Sequence, residues 1–151
     1  MGGQVGGSGT IFVKNQPHRV SNVIKDAKGR FLHALQTAPK EPFAKDEIAL
    51  LNVDFQRRQA IQRHHTATHI LHWALRQVLG DHIRQAGSLV EPDRLRFDFS
   101  HFEGIKSDQL TEIERISNQK LLLNDALEAY EIPFSEKPDE VIAFFGDKYG
   151  E

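Results

Sequence analysis

At Arg57 the apolar pattern of this chain changes period, and no other feature restricts the fold as much. From there Ala60, Ala67, Leu71, Ala74, Leu75 and Val78 recur at helical spacing, and Gly80 stands where a C-terminal glycine belongs. The spacing predicts one helix over Arg57–Leu79 with a single apolar face. Before Arg57 the apolar runs are short and separated by turn formers. Ile11–Val13, Val20–Ile24, Phe31–Leu35 and Ile48–Phe55 read as strands, with a turn at Asp26-Ala27-Lys28-Gly29 and a loop bracketed by Pro39 and Pro42. After the helix, Gln85–Val90 leads into the turn Glu91-Pro92-Asp93-Arg94. Leu95, Phe97 and Phe99 then alternate with Arg96, Asp98 and Ser100, as in a strand with one buried face. Ser107 is the expected N-cap of a second helix running to about Tyr130, with a stripe of Ile113, Ile116, Leu123, Leu127 and Tyr130 that Pro133 ends. Val141–Phe145 is a further short strand candidate.

These periods predict an α+β chain. A small glycine-rich, β-barrel-like module covers residues 1–55. A second domain, 56–151, packs helices on a mostly antiparallel sheet, with the Leu71, Leu75 and Val78 face against the Leu95–Phe99 strand. The opening MGGQVGGSG reads on composition alone as readily as a flexible linker.

The 151 residues carry a formal charge of −2 and no cysteine. Disulfides are excluded, and there is no overall field drawing the chain to nucleic acid, so any such contact must come from a local patch. No run of about 18 apolar residues exists to cross a membrane. No basic-then-apolar leader follows Met1. The expectation is a soluble, cytoplasmic protein with neither membrane nor DNA as partner.

The first predicted helix carries Arg63-His64-His65-Thr66-Ala67-Thr68-His69. His65 and His69, four residues apart, stack on one helix face within reach of a single metal ion. His72 and Arg76 project to the same flank, whereas His64 projects onto the apolar stripe and reads as structural. Solvated or core-satisfied histidines are the bland alternative. A zinc protease of the two-histidine helix type needs a glutamate directly after the first histidine. Thr66 stands there instead, which argues against that chemistry. Zinc wants three or four protein ligands, and His72 is the nearest further candidate.

Several segments together resemble the editing domain of alanyl-tRNA synthetase. They are His65-Thr66-Ala67-Thr68-His69-Ile70-Leu71-His72, Gln85-Ala86-Gly87-Ser88-Leu89-Val90, Leu95-Arg96-Phe97-Asp98-Phe99 and Ala143-Phe144-Phe145-Gly146-Asp147-Lys148-Tyr149-Gly150. Gly2-Gly3-Gln4-Val5-Gly6 resembles the glycine-rich opening of the β-barrel that precedes it. Free-standing trans-editing proteins and, more distantly, threonyl-tRNA synthetase share such stretches. The family often has asparagine at the place of His64 and aspartate at that of Gly7.

The resemblance implies hydrolysis of alanine tRNA mischarged with serine or glycine, within a larger enzyme that attaches alanine to its tRNA with ATP. It implies zinc held by His65 and His69. The cysteine and histidine that complete that site in the family are absent here, so the resemblance describes a fragment whose editing domain is truncated at its C-terminal end, with zinc held in the intact parent but absent or partial here, and with weak or no hydrolysis expected of the fragment itself. An activated ester needs chiefly a placed water and a stabilised oxyanion. Gln85 and Thr66 are the candidates for that work, and Thr68, Arg63 and Arg96 for holding the amino acid and the acceptor end of the tRNA. A folded but catalytically silent module that docks tRNA is the alternative. An unrelated metallohydrolase using His65, His69 and Asp98 is a third reading.

Overall fold

The structure, a computed structural model, describes residues 3–126 together with Pro133. The elements run β1 (Gly9–Val13), β2 (Gln16–Lys25), β3 (Phe31–Leu35), β4 (Ala49–Val53), α1 (Phe55–Leu79), β5 (Gln85–Val90), β6 (Leu95–Phe99) and α2 (Ser107–Leu122). They form two compact units, Met1–Thr68 with Ser88–Arg96, and His69–Gly87 with Phe97–Glu151. The mixed α/β content follows the two periods in the sequence.

The first unit holds a four-stranded antiparallel sheet of order β3-β2-β1-β4. Val13 pairs with Gln16, so β1 and β2 meet through the two residues Lys14 and Asn15. Both have positive φ, 48° and 62°, as a two-residue hairpin turn that matches the strand twist requires. The hairpin draws Gln16–Arg19 into β2, so the strand starts earlier than its apolar run, and Pro17 sits one position in from the turn. The Asp26–Gly29 turn forms as expected. Asp26 Oδ1 accepts the Lys28 and Arg30 N–H groups, both at 2.9 Å, and Gly29 takes φ 80°.

No closed barrel is found among the described residues. β3 and β4 are opposite edges of an open sheet, and among the described residues no strand pairing closes it. The linker reading of the N-terminus also gives way. Gln4 bridges Val90 in parallel, Val5 N–H donates to the Val90 carbonyl at 3.1 Å, and Val90 N–H donates to the Gly3 carbonyl at 2.8 Å. Gly3 has φ 74°, and a Cβ there would strike the Ser88 carbonyl, so the glycine is required.

Asp54 starts α1. Its Oδ1 accepts the Arg57 N–H at 3.1 Å, and the helix begins at Phe55, two residues before the expected Arg57. Gly80, φ 110°, ends it as expected, its N–H donating to the Arg76 carbonyl at 3.0 Å.

In the second unit Ala74, Leu75, Ile83 and Ile113 form the buried core, with Leu71, Val78, Phe97, Phe99 and Ile116 packed on it. The predicted helix face therefore does meet the alternating strand. β5 and β6 pair as a two-stranded sheet, and in the first unit the turn after β5 is closed by the Glu91 N–H donating to the Arg94 carbonyl at 2.9 Å.

α2 differs at both ends from its expectation. Lys106 is the N-cap, its N–H bonded to Gln109 Oε1 at 2.9 Å, and Ser107 is the first helical residue. The helix stops at Leu122 because Asn124 turns left-handed, φ 49°, and its N–H bonds back to the Leu121 carbonyl at 3.2 Å. Leu123 is exposed rather than part of a core stripe. Leu127, Tyr130 and Val141–Phe145 lie outside the described residues.

Candidate functional site

His65 and His69 stand one turn apart on the unbroken helix α1. Thr66 and Thr68 lie between them and Arg63 half a turn before. The boundary between the two units falls between Thr68 and His69.

In the first unit, Arg57 Nη1 donates to the Gly6 carbonyl at 2.9 Å, and Arg58 Nη1 donates to Gln4 Oε1 at 3.0 Å. These two bonds tie the start of α1 to the glycine-rich opening. His64 Nδ1 lies 2.8 Å from the Glu91 carbonyl oxygen. A carbonyl only accepts, so His64 carries its proton on Nδ1 and serves to hold the end of β5, the structural role its helical projection suggests. Thr68 is buried, and its hydroxyl donates to the His64 carbonyl at 2.8 Å. This is the back-bond that competes with any contact to a bound molecule. His65 and Thr66 are half-buried, while Arg63 and Arg96 are exposed.

In the second unit His69 is exposed and Gln85 is half-buried at the first position of β5. His72, placed by its spacing on the flank of His65 and His69, is buried. It is 3% exposed, and its ring packs on Phe97 with centroids 4.9 Å apart. Burial holds the His72 imidazole below its ordinary range. A hydrogen bond with the Ile83 backbone opposes this, and the neighbouring charges of Arg76, His69 and Arg84 reinforce it.

A pH dependence follows. Unfolded, His72 takes up a proton near the ordinary value of 6.5, whereas the folded protein resists it. The unfolded state then binds more protons, so stability rises with pH across that window. The contribution is complete above pH 6.5 and is lost as pH falls below it. Denaturant midpoints measured between pH 7.5 and roughly 5 will fall for the native chain, and the fall will be shallower for His72→Gln. Equal slopes would show that His72 is not the linked group.

Sequence reasoning missed two features of the second unit. A Cβ on Gly87 would meet Asp98 Oδ2 at 2.9 Å, so the missing side chain makes room for the Asp98 carboxylate. His82 and His101 are also in contact, Nε2 to Nδ1, at 2.9 Å. The cross-strand alternation of β5 and β6 gives a signal for the first, and nothing in spacing or period marks the second. Among the described residues no group of three or more histidine, cysteine or acidic side chains that could hold a metal ion is found.

No family model matches the chain. Its sequence is 46% identical over 154 residues to the alanine–tRNA ligase of Opitutus terrae, covering 99% of this chain. It is 44% identical to that of Methylacidiphilum infernorum and 39% identical to that of Thermotoga petrophila, again over 99% or more of its length. The chain belongs to the alanine–tRNA ligase family. It spans only 16–17% of the length of these relatives. It is therefore similar to one segment of an alanine–tRNA ligase. No helix among its described residues is long and apolar enough to cross a membrane.

Proposed function

We propose that this segment carries the editing activity of an alanine–tRNA ligase, the hydrolysis of alanine tRNA mischarged with serine or glycine. The observation that carries the reading is the pair His65 and His69 on one uninterrupted helix, in a chain that matches alanine–tRNA ligases from end to end. The whole ligase would join alanine to its tRNA with ATP in the cytoplasm, through parts of the protein other than this one.

Zinc is the metal this reading implies. His65 and His69 offer two imidazoles, but among the described residues no third ligand joins them. His65 and His69 are the residues that would hold the metal.

The remaining chemistry is modest. The aminoacyl ester is already activated, so water adds to its carbonyl carbon, the carbonyl oxygen becomes an oxyanion, and the ribose oxygen leaves with a proton. Gln85 can orient the water through its amide, and the Thr66 hydroxyl can donate to the oxyanion. Arg63 and Arg96, both exposed, suit phosphates of the acceptor end. Thr68 is the substrate-side candidate whose hydroxyl the helix already engages.

That engagement, with the two-ligand metal pair, favours a second reading. In it the segment docks tRNA and is catalytically silent. Release of labelled amino acid from matched seryl- and alanyl-tRNA separates the two. Editing predicts that seryl-tRNA is cleared at least about tenfold faster than alanyl-tRNA. A site that hydrogen-bonds the serine hydroxyl favours serine over alanine, which lacks it. Equal release of both, or none beyond the spontaneous rate, removes the editing reading.

A further inference from the structure

The start of β5 is held by a pair of histidines that the site above does not use. His82 Nε2 and His101 Nδ1 are 2.9 Å apart, with ring centroids at 5.1 Å and planes 18° from parallel. Phe102 stacks on His82 at 4.7 Å. One step along, Ser100 N–H donates to the Arg84 carbonyl at 3.4 Å, and Ile83 between them is fully buried. All these residues belong to the second unit.

Two imidazole nitrogens in contact share one proton, so one donates and the other accepts. His101 settles the direction. Its Nε2 is buried and has no hydrogen-bond partner among the described residues. A proton there would be an orphaned buried donor, a worse loss than a bare lone pair. The proton therefore sits on His101 Nδ1, which donates to His82 Nε2, and neutral His82 keeps its own proton on Nδ1.

We propose that His101, in this Nδ1–H form, is a positioning residue. It clamps His82, and through the anchored segment His82-Ile83-Arg84 it fixes Gln85 at the head of β5. Its value to catalysis rests on the editing reading above, in which Gln85 orients water. A group that places a water must itself be held to within a fraction of an ångström. The tautomer and the clamp do not depend on that reading.

The test uses the full 151-residue chain. Ring-nitrogen NMR is expected to show His101 protonated on Nδ1 and not on Nε2, with His82 unprotonated on Nε2. A proton on His101 Nε2 overturns the proposal. His101→Leu is expected to speed amide exchange at Ile83 and Ser100 by about tenfold or more, with Ala74 and Leu75 in α1 unchanged. His101→Asn, whose side-chain N–H can reach the same acceptor, is expected to restore it. Equal acceleration throughout α1, or no rescue by asparagine, shows a packing role and overturns the clamp.

Seryl-tRNA release is the second arm. His101→Leu is expected to lower kcat about tenfold at unchanged KM, again rescued by asparagine. Release that survives while exchange rises would overturn the link to Gln85. A native chain that releases no serine removes the editing reading alone, and the NMR and exchange arms still decide the clamp.

Discussion

Ile83→Ala will lower the stability of the chain by about 2–5 kcal/mol, the usual cost of truncating a sealed aliphatic side chain. Ile83 is 0% exposed although it lies in the connection between α1 and β5. The Gly80 turn makes this possible. Gly80 takes φ 110°, and its carbonyl accepts the Ile83 N–H at 3.3 Å, which folds the connection back under the helix. The side chain joins Ala74, Leu75 and Ile113 in the core of the second unit. Neighbours anchored on two helices cannot collapse into the space an alanine would leave, so both the lost transfer energy and the cavity count. Ile83→Val, which removes one methylene, should cost only about 0.5–1.5 kcal/mol. Leu110→Ala on α2, at a position 52% exposed, is the control. It should stay within about 0.5 kcal/mol of the native chain. Denaturant midpoints at unchanged slope measure all three. An Ile83→Ala cost near that of the Leu110 control would mean that the second unit does not have this core.

The parts of the fold that the sequence made legible are those where one local signal decides the backbone. The helical repeat ending in Gly80 predicted α1 almost to its ends, and the Asp26–Gly29 turn and the alternation of β6 were equally direct. The hairpin at Lys14 and Asn15 was less legible. Neither residue is the glycine that usually announces positive φ, and Pro17 argues locally against a strand. The end of α2 was misread because Leu121, Leu122 and Leu123 continue the apolar run, while Asn124 turns the backbone out of the helix. Closure of a barrel is a long-range property, and strand patterns alone do not say whether two edges meet.

The site divides in the same way. Helical spacing was enough to place His65 beside His69, and to set His64 apart as structural. It was not enough for His72. Spacing names a flank but not what packs on that flank, and the Phe97 ring covers it. The His82–His101 contact joins a loop to the residues after β6, where no period exists to be read.

His69→Ala should reduce seryl-tRNA release on the order of 10²-fold, as expected for one positioned group lost from a preorganised hydrolytic site. The argument starts from the helix. His65 and His69 share a face one turn apart, and α1 continues through both without a break. Whatever the pair holds, a metal ion or the substrate itself, needs both rings in one orientation, so one alanine should remove most of the effect. Removal of His65 as well should then add little, because groups that act as a unit are not additive. His69 is exposed, so the substitution should leave the unfolding free energy within about 0.5 kcal/mol of native. His64→Ala is the contrasting variant. It breaks the bond to the Glu91 carbonyl and should cost stability of about 0.5–1.5 kcal/mol. In a full-length alanine–tRNA ligase carrying this segment, His69→Ala should leave alanine activation unchanged, because the reading assigns activation to another part of the protein. Unaltered seryl-tRNA release in His69→Ala, with release still active in the native protein, would remove the helix pair from the chemistry. Gln85 and Thr66 would then be left to carry it.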